Sequence, residues 1–167
     1  MGYTVTIDPG VHSAGIALWD TSDGVELHAA ALVRTKGGWG DLANVVALWV
    51  EEQYVEVAEV IIEKPQIYAQ HKLKGDPNDL ITLAIAAGAI VMSVCTQHPD
   101  AVIHTIKPYQ WKGQIPKGIS VQRIQDQLMP LERESVCLPT AKSLQHNVWD
   151  AVGIGLYWFR QQRKDRS

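Results

Sequence analysis

The sequence predicts an α/β fold in which a mixed five-stranded sheet, an antiparallel meander plus parallel strands, is flanked by helices. Two patterns predict it. Three strand-like stretches crowd into the first 34 residues, and apolar runs of strand length then alternate with stretches of helical spacing. A third observation sets the scale: 167 residues, 46% hydrophobic and 20% charged, suit one domain with a sizeable core. Residues 1–167 are therefore expected to form a single domain.

Tyr3, Val5 and Ile7 alternate with Thr4, Thr6 and Asp8, the period of a half-buried strand ending at Asp8. Pro9-Gly10 turns the chain, and Gly15 to Asp20 reads as a second strand paired with the first in a hairpin. A third strand is expected from Val25 to Arg34, closed by Gly37-Gly38. Leu42, Val45, Val46 and Trp49 have helical spacing, with Asp41 near the helix start. Val60-Ile61-Ile62-Glu63 is a short apolar run ending in a carboxylate and stopped by Pro65, a buried strand. Asp79 is expected to cap an apolar helix running through Cys95, and Ala101 to Ile106 to form the fifth strand. Shorter helical pieces follow from Tyr109 to Leu128, and a final helix from near Ser143 to Gln145 to about Arg163. A meander followed by alternating helix and strand gives a mixed sheet with helices on both faces. Its crossovers should be right-handed.

Several function classes fall away. The most apolar stretch, Leu80 to Cys95, is 16 residues and is broken by Thr82 and Ser93. A membrane span needs roughly 20, so a buried helix and no membrane partner are expected. The opening residues lack the basic and apolar regions of a secretion signal. Cys95 and Cys137 form no Cys-x-x-Cys pair, which points to free thiols in a reducing cytoplasm. The net charge of −3 divides unevenly along the chain. Residues 1–63 hold 2 basic and 10 acidic residues, whereas residues 64–167 hold 13 basic and 8 acidic. That asymmetry permits a basic surface beside an acidic one. It does not decide whether anything binds there.

Asp8 closes the first strand, Glu63 closes the fourth, and Asp150 sits one or two turns into the final helix. Each has an ordinary explanation: a turn former, a solvated strand end, a charge favoured near a helix N-terminus. Their apolar context argues further. Glu63 follows three apolar residues, and Asp150 lies between Trp149 and Ala151-Val152. A buried carboxylate without a partner is costly. A hard divalent cation is the natural partner, since Mg²⁺ prefers carboxylate and water oxygens where phosphate completes its shell. Two such ions roughly 3.5–4 Å apart can activate a water and stabilise the leaving oxygen of a phosphodiester.

His146 and Asn147 lie four and three residues before Asp150, so all three can project toward one region of a helix. His146 can ligate a metal, position a water or take the nucleophile's proton. It can equally bond the backbone at the helix start, and Asn147 can be a cap or a neutral ligand.

Ile7-Asp8-Pro9-Gly10 followed by Gly15-Ile16-Ala17 resembles the opening strand, turn and strand of the RuvC family of Holliday-junction resolvases. Val60-Ile61-Ile62-Glu63 resembles the family's second acidic motif, and His146-Asn147-Val148-Trp149-Asp150-Ala151 its closing one. The ordered set spans nearly the whole chain. The resemblance implies an RNase H-like fold, a homodimer, and two-metal hydrolysis of symmetrically placed phosphodiesters in a four-way DNA junction. It carries over Asp8, Glu63 and Asp150 as catalytic metal ligands of two Mg²⁺ ions, with Mn²⁺ as an alternative. Where the family has Asp or His three residues before the last aspartate, this chain has Asn147, with His146 one residue earlier. Either can be the fourth member.

Two departures mark a divergent, phage-type sequence, for which the host cytoplasm is the expected location. Gln66 stands where many bacterial members place an aromatic residue, with Tyr68 two positions on as a substitute stacking group. Lys107, Lys112 and Lys117 loosely match the family's basic segment after the fifth strand. Lys64 and Lys72 follow Glu63, Trp111 sits beside Lys112, and a basic tail holds Arg160, Arg163, Lys164 and Arg166. Such cations neutralise phosphates. The alternatives are an RNase H-like nuclease acting on simpler branched DNA or RNA, and a catalytically silent DNA-binding module. An actin-like kinase also has a strand followed by an Asp-x-Gly turn, but it needs two domains and a second phosphate motif. The expected dimer uses the helix from Leu80 to Cys95. Ile81, Ala84, Ile85, Gly88 and Val91 make one apolar stripe on it, and Leu83, Ala86, Ala87, Ile90 and Val94 another.

Overall fold

Strand β1 (Tyr3–Asp8) hydrogen-bonds on both sides, antiparallel to β2 (Ser13–Asp20) and parallel to β4 (Val57–Glu63). The structure, a computed structural model, describes residues 2–66, 76–113 and 115–165, without the side chain of Lys117. β3 (Glu26–Arg34) extends the meander beyond β2, and β5 (Val102–Ile106) lies parallel to β4 at the other edge. A two-residue strand, β6 (Val136–Cys137), pairs with β3, so the order is β5-β4-β1-β2-β3-β6. The five expected strands are all present. The sixth has no sequence period to announce it.

Helices cover both faces. α1 (Trp39–Glu51) and α2 (Pro77–Gln97) pack on one face through Leu42, Val46, Val50, Ile90 and Val94, against Val5, Ile7, Ile16, Leu18, Val60 and Ile62. The C-terminal helix covers the other face, and three short helices, α3 (Pro108–Trp111), α4 (Lys117–Gln127) and α5 (Pro130–Glu134), precede it. That last helix is α6 (Gln145–Asp165), entered through a 3-10 turn at Lys142–Leu144. Because α6 lies on this face, Thr4 and Thr6 are buried rather than solvated. The alternation along β1 does not mark a half-buried strand, as expected. The strand is covered on both sides.

Two details of α2 differ from expectation. Its N-cap is Asp76, which accepts from the Asn78 N–H at 2.8 Å, and not Asp79. Pro77 supplies the first helical position, where its missing N–H costs nothing. The helix is also 21 residues, and its length and apolarity would suffice to cross a bilayer. The shortness of its apolar run is therefore no argument against a span. Its place in the fold comes from packing, with Ala86, Ala87, Ile90, Val91 and Val94 in the core.

Candidate active site

The sheet brings the first two carboxylates side by side. Ile7 of β1 is in register with Ile62 of β4, so Asp8 and Glu63 are the next positions on neighbouring strands. On the other side Asp8 is in register with Gly15 of β2. A Cβ on Gly15 would lie 1.8 Å from the carbonyl oxygen of Asn147, so only glycine lets the first turn of α6 rest there. Asp150 follows one turn later, 5% exposed. A buried pair fixes this docking: Thr6 Oγ1 donates to the carbonyl of Ala151 at 2.8 Å and accepts from Trp19 Nε1 at 3.0 Å.

The segment after β5 returns to the same end of the sheet. The Lys64 N–H donates to the Ile106 carbonyl at 2.8 Å, and α3 starts two residues further on. Trp111, at its last position, donates from Nε1 to Glu63 Oε2 at 2.7 Å. Lys112, its neighbour, forms an ion pair with Asp150. Burial pushes the Glu63 carboxyl above the usual carboxylate range; Trp111 and Lys112 pull it down, and nearby Asp150 pushes it up.

The three carboxylates thus stand at adjoining element ends on the α6 side, two of them tied to Trp111 and Lys112. Among the described residues, no group of three or more His, Cys, Asp or Glu side chains is arranged as a ready metal cage. In kind, the donor set fits a hard divalent cation: all oxygen, with Asp150 buried and already paired with a positive charge. His146 and Asn147 are half-buried on the first turn of α6. Their side chains make no hydrogen bond among the described residues, which supports neither the capping nor the backbone-bonded reading.

Lys64 and Lys107 are exposed near the same end, Lys107 lying 5.9 Å from the Tyr109 ring. Lys117 starts α4. Tyr68 and Lys72 lie outside the described residues. Arg160, Arg163 and Lys164 sit ten or more residues along α6 from Asp150, about 15 Å or more at the helical rise, and so do not join the carboxylates. In the sequence Trp111 stands out only as a neighbour of Lys112, and its bond to Glu63 appears only in the fold. The same holds for Gly153, where a Cβ would lie 2.6 Å from Trp111 Cζ3. A glycine inside a helix was the available signal.

No family model matches the sequence, and no curated protein matches it. Solved structures do. A RuvC from T. thermophilus in complex with a Holliday junction substrate matches with TM-score 0.65 and 16% identity, over 95% of this chain and 96% of that one. The yeast mitochondrial Holliday junction resolvase Ydc2 matches with TM-score 0.57 and 12% identity, over 96% and 80%. The fowlpox virus Holliday junction resolvase matches with TM-score 0.58 and 15% identity, over 96% and 99%. The chain has the RNase H-like fold of RuvC-type resolvases.

Proposed function

We propose that the protein is a RuvC-like endodeoxyribonuclease that resolves four-way DNA junctions with divalent cations. One observation carries the reading. A single fold brings carboxylates from the first strand, the fourth strand and the last helix to one end of the sheet, beside exposed lysines. Asp8, Glu63 and Asp150 would hold two Mg²⁺ or Mn²⁺ ions, with Asn147 or His146 as fourth member. Held there, such ions would supply an activated water and charge stabilisation at the phosphate. Trp111 orients Glu63, and Thr6 and Gly15 fix the height of α6 over the sheet. Lys64 and Lys107 offer charge to the DNA backbone.

The test is cleavage of a four-way junction in Mg²⁺ and in EDTA, beside flap, single-stranded and RNA–DNA substrates. Asp8→Asn, Glu63→Gln and Asp150→Asn should each cut cleavage on the order of 10³-fold or more while junction binding survives. Wild-type cleavage by any of them removes that residue from the site. Preference for the RNA–DNA hybrid would favour a different RNase H-like nuclease, and binding without Mg²⁺-dependent cleavage a silent module.

The proposal includes a homodimer, because paired nicks across a nearly two-fold junction need two sites related by symmetry. α2 supports it. Ile81, Ala84, Ile85, Gly88 and Met92 form an exposed apolar stripe, while Val91, expected on that stripe, faces the core. A Cβ at Gly88 meets nothing within 4 Å, so Gly88→Glu should leave the subunit folded. Sedimentation should then show a monomer that no longer makes paired cuts. A variant that stays dimeric would move the interface elsewhere.

A further inference from the structure

Lys112 is not placed as a surface lysine waiting for phosphate. Its ammonium is paired with the Asp150 carboxylate and lies 5.0 Å from the centre of the Trp111 ring. Its side chain is 22% exposed, that of Asp150 7%. Its positive charge also acts on Glu63. The backbone beneath it is held firmly. The Lys112 N–H closes α3 on the Pro108 carbonyl, and Gly113 turns the chain away at φ +60°. Trp111 packs into the slot at Gly153, one turn after Asp150, and bonds Glu63. Two consecutive residues of one segment therefore engage one carboxylate each, from β4 and from α6. Only the lysine brings a full positive charge.

We propose that Lys112 is the resting counter-ion of this site, which a divalent cation must displace from Asp150 before it can bind. This rests on the proposed cation-dependent reading of Asp8, Glu63 and Asp150. One carboxylate oxygen cannot serve an ammonium and a metal ion at full strength, and the attraction to either is greatest in a partly buried site. Trp111 keeps its backbone anchor during the exchange, so the change is a swing of the flexible lysine stem alone. Metal entry then releases a cation at the place where a scissile phosphate must arrive. A site closed by its own lysine lowers the apparent affinity for the metal by the fraction of molecules in which the lysine is away.

Calorimetric titration of Mn²⁺ into the DNA-free protein tests this. Lys112→Met keeps an apolar stem on Trp111 and removes the charge. It should bind Mn²⁺ on the order of tenfold more tightly than wild type. Unchanged or weaker binding overturns the proposal. A second measurement needs no variant: acetylation of lysines in the wild-type protein, read by mass spectrometry with and without Mg²⁺. Lys112 should become several-fold more reactive with Mg²⁺, while exposed Lys142 does not change. Equal protection of Lys112 in both conditions overturns the proposal even if Lys112→Met fails to fold. If wild type takes up no Mn²⁺ at all, the cation-dependent reading falls and this proposal with it. Uptake by wild type with no lysine effect sinks this proposal alone.

Discussion

The two faces of the sheet are built from different chemistry. On the α1 and α2 face, Val5, Ile7, Ile16, Leu18, Val60 and Ile62 meet Leu42, Val46, Val50, Ile90 and Val94, an aliphatic contact with the partly buried Tyr3, Trp49 and Cys95 packed against it. On the α6 face, Thr6, Trp19, Glu63, Trp111, Lys112 and Asp150 are joined by side-chain hydrogen bonds and an ion pair among the apolar residues. Further along that face Glu59 accepts from Trp158 Nε1 at 3.3 Å and lies 3.5 Å from His104 Nε2. The first face contributes hydrophobic burial, which is non-directional and tolerant. The second contributes orientation, since each buried polar group must find its partner at a fixed distance. The candidate site thus lies on one side of the sheet, beside an apolar cluster of its own, and the aliphatic contact on the other.

Ile90→Ala tests that separation with the largest expected effect on stability. Ile90 is fully buried between α2 and the sheet, and truncating such a side chain costs about 2–5 kcal/mol. Urea denaturation should show that loss, while cleavage per folded molecule stays near wild type. A large drop in rate per folded molecule would mean that the two faces are coupled.

Thr6→Val is the converse. The shapes nearly match, but the Ala151 carbonyl loses the hydroxyl that donates to it beside the helical bond, and Trp19 Nε1 loses its acceptor. The cost in stability is about 1–3 kcal/mol, smaller than that of the aliphatic truncation. The cost in rate should be larger, because α6 carries Asp150, and a misplacement near 1 Å can lose roughly 10²-fold. Loss of stability without loss of rate would show that Thr6 is an ordinary core residue.

What the sequence revealed divides along the same line. The aliphatic face was legible because period 2 in the strands and helical spacing in α1 and α2 are direct readouts of burial. Asp8, Glu63 and Asp150 stand out in the sequence as candidates because a carboxylate ending an apolar run, or set within one, is costly. The polar contacts of the α6 face do not. Thr4 and Thr6 look like solvent positions until a helix covers them, and nothing local in Trp111 shows that the chain after β5 turns it back onto Glu63. The choice of Asp76 over Asp79 as cap was within reach, since Pro77 sits at the position that favours proline. The apparent end of the apolar run misled because polar residues at both ends, Asn78 and Asp79, then Thr96 and Gln97, are helical too.

The smallest effect is a response to pH, read at Glu63 on the α6 face against a truncation of Ile90 on the other that involves no charge. Burial holds the Glu63 carboxyl above its ordinary range, with Asp150 adding to the shift and Trp111 and Lys112 opposing it. The folded metal-free protein then binds the Glu63 proton more tightly than the unfolded chain does. As pH rises from about 4.3, the ordinary glutamate value, toward the raised folded value, the folded state holds more protons than the unfolded one. Stability must fall across that window and level off above it. Glu63→Gln keeps an acceptor for the Trp111 N–H and removes the titration. In EDTA, its melting temperature at pH 7 to 8 should match or exceed that of wild type by on the order of a few degrees. Near pH 4 the two proteins should converge. Ile90→Ala should instead lower the melting curve by a similar amount at every pH, since no charge is involved. Parallel pH profiles for Glu63→Gln and wild type would show that Glu63 ionises in the folded protein as freely as in the unfolded chain, and that burial at this end of the sheet does not act on its carboxyl.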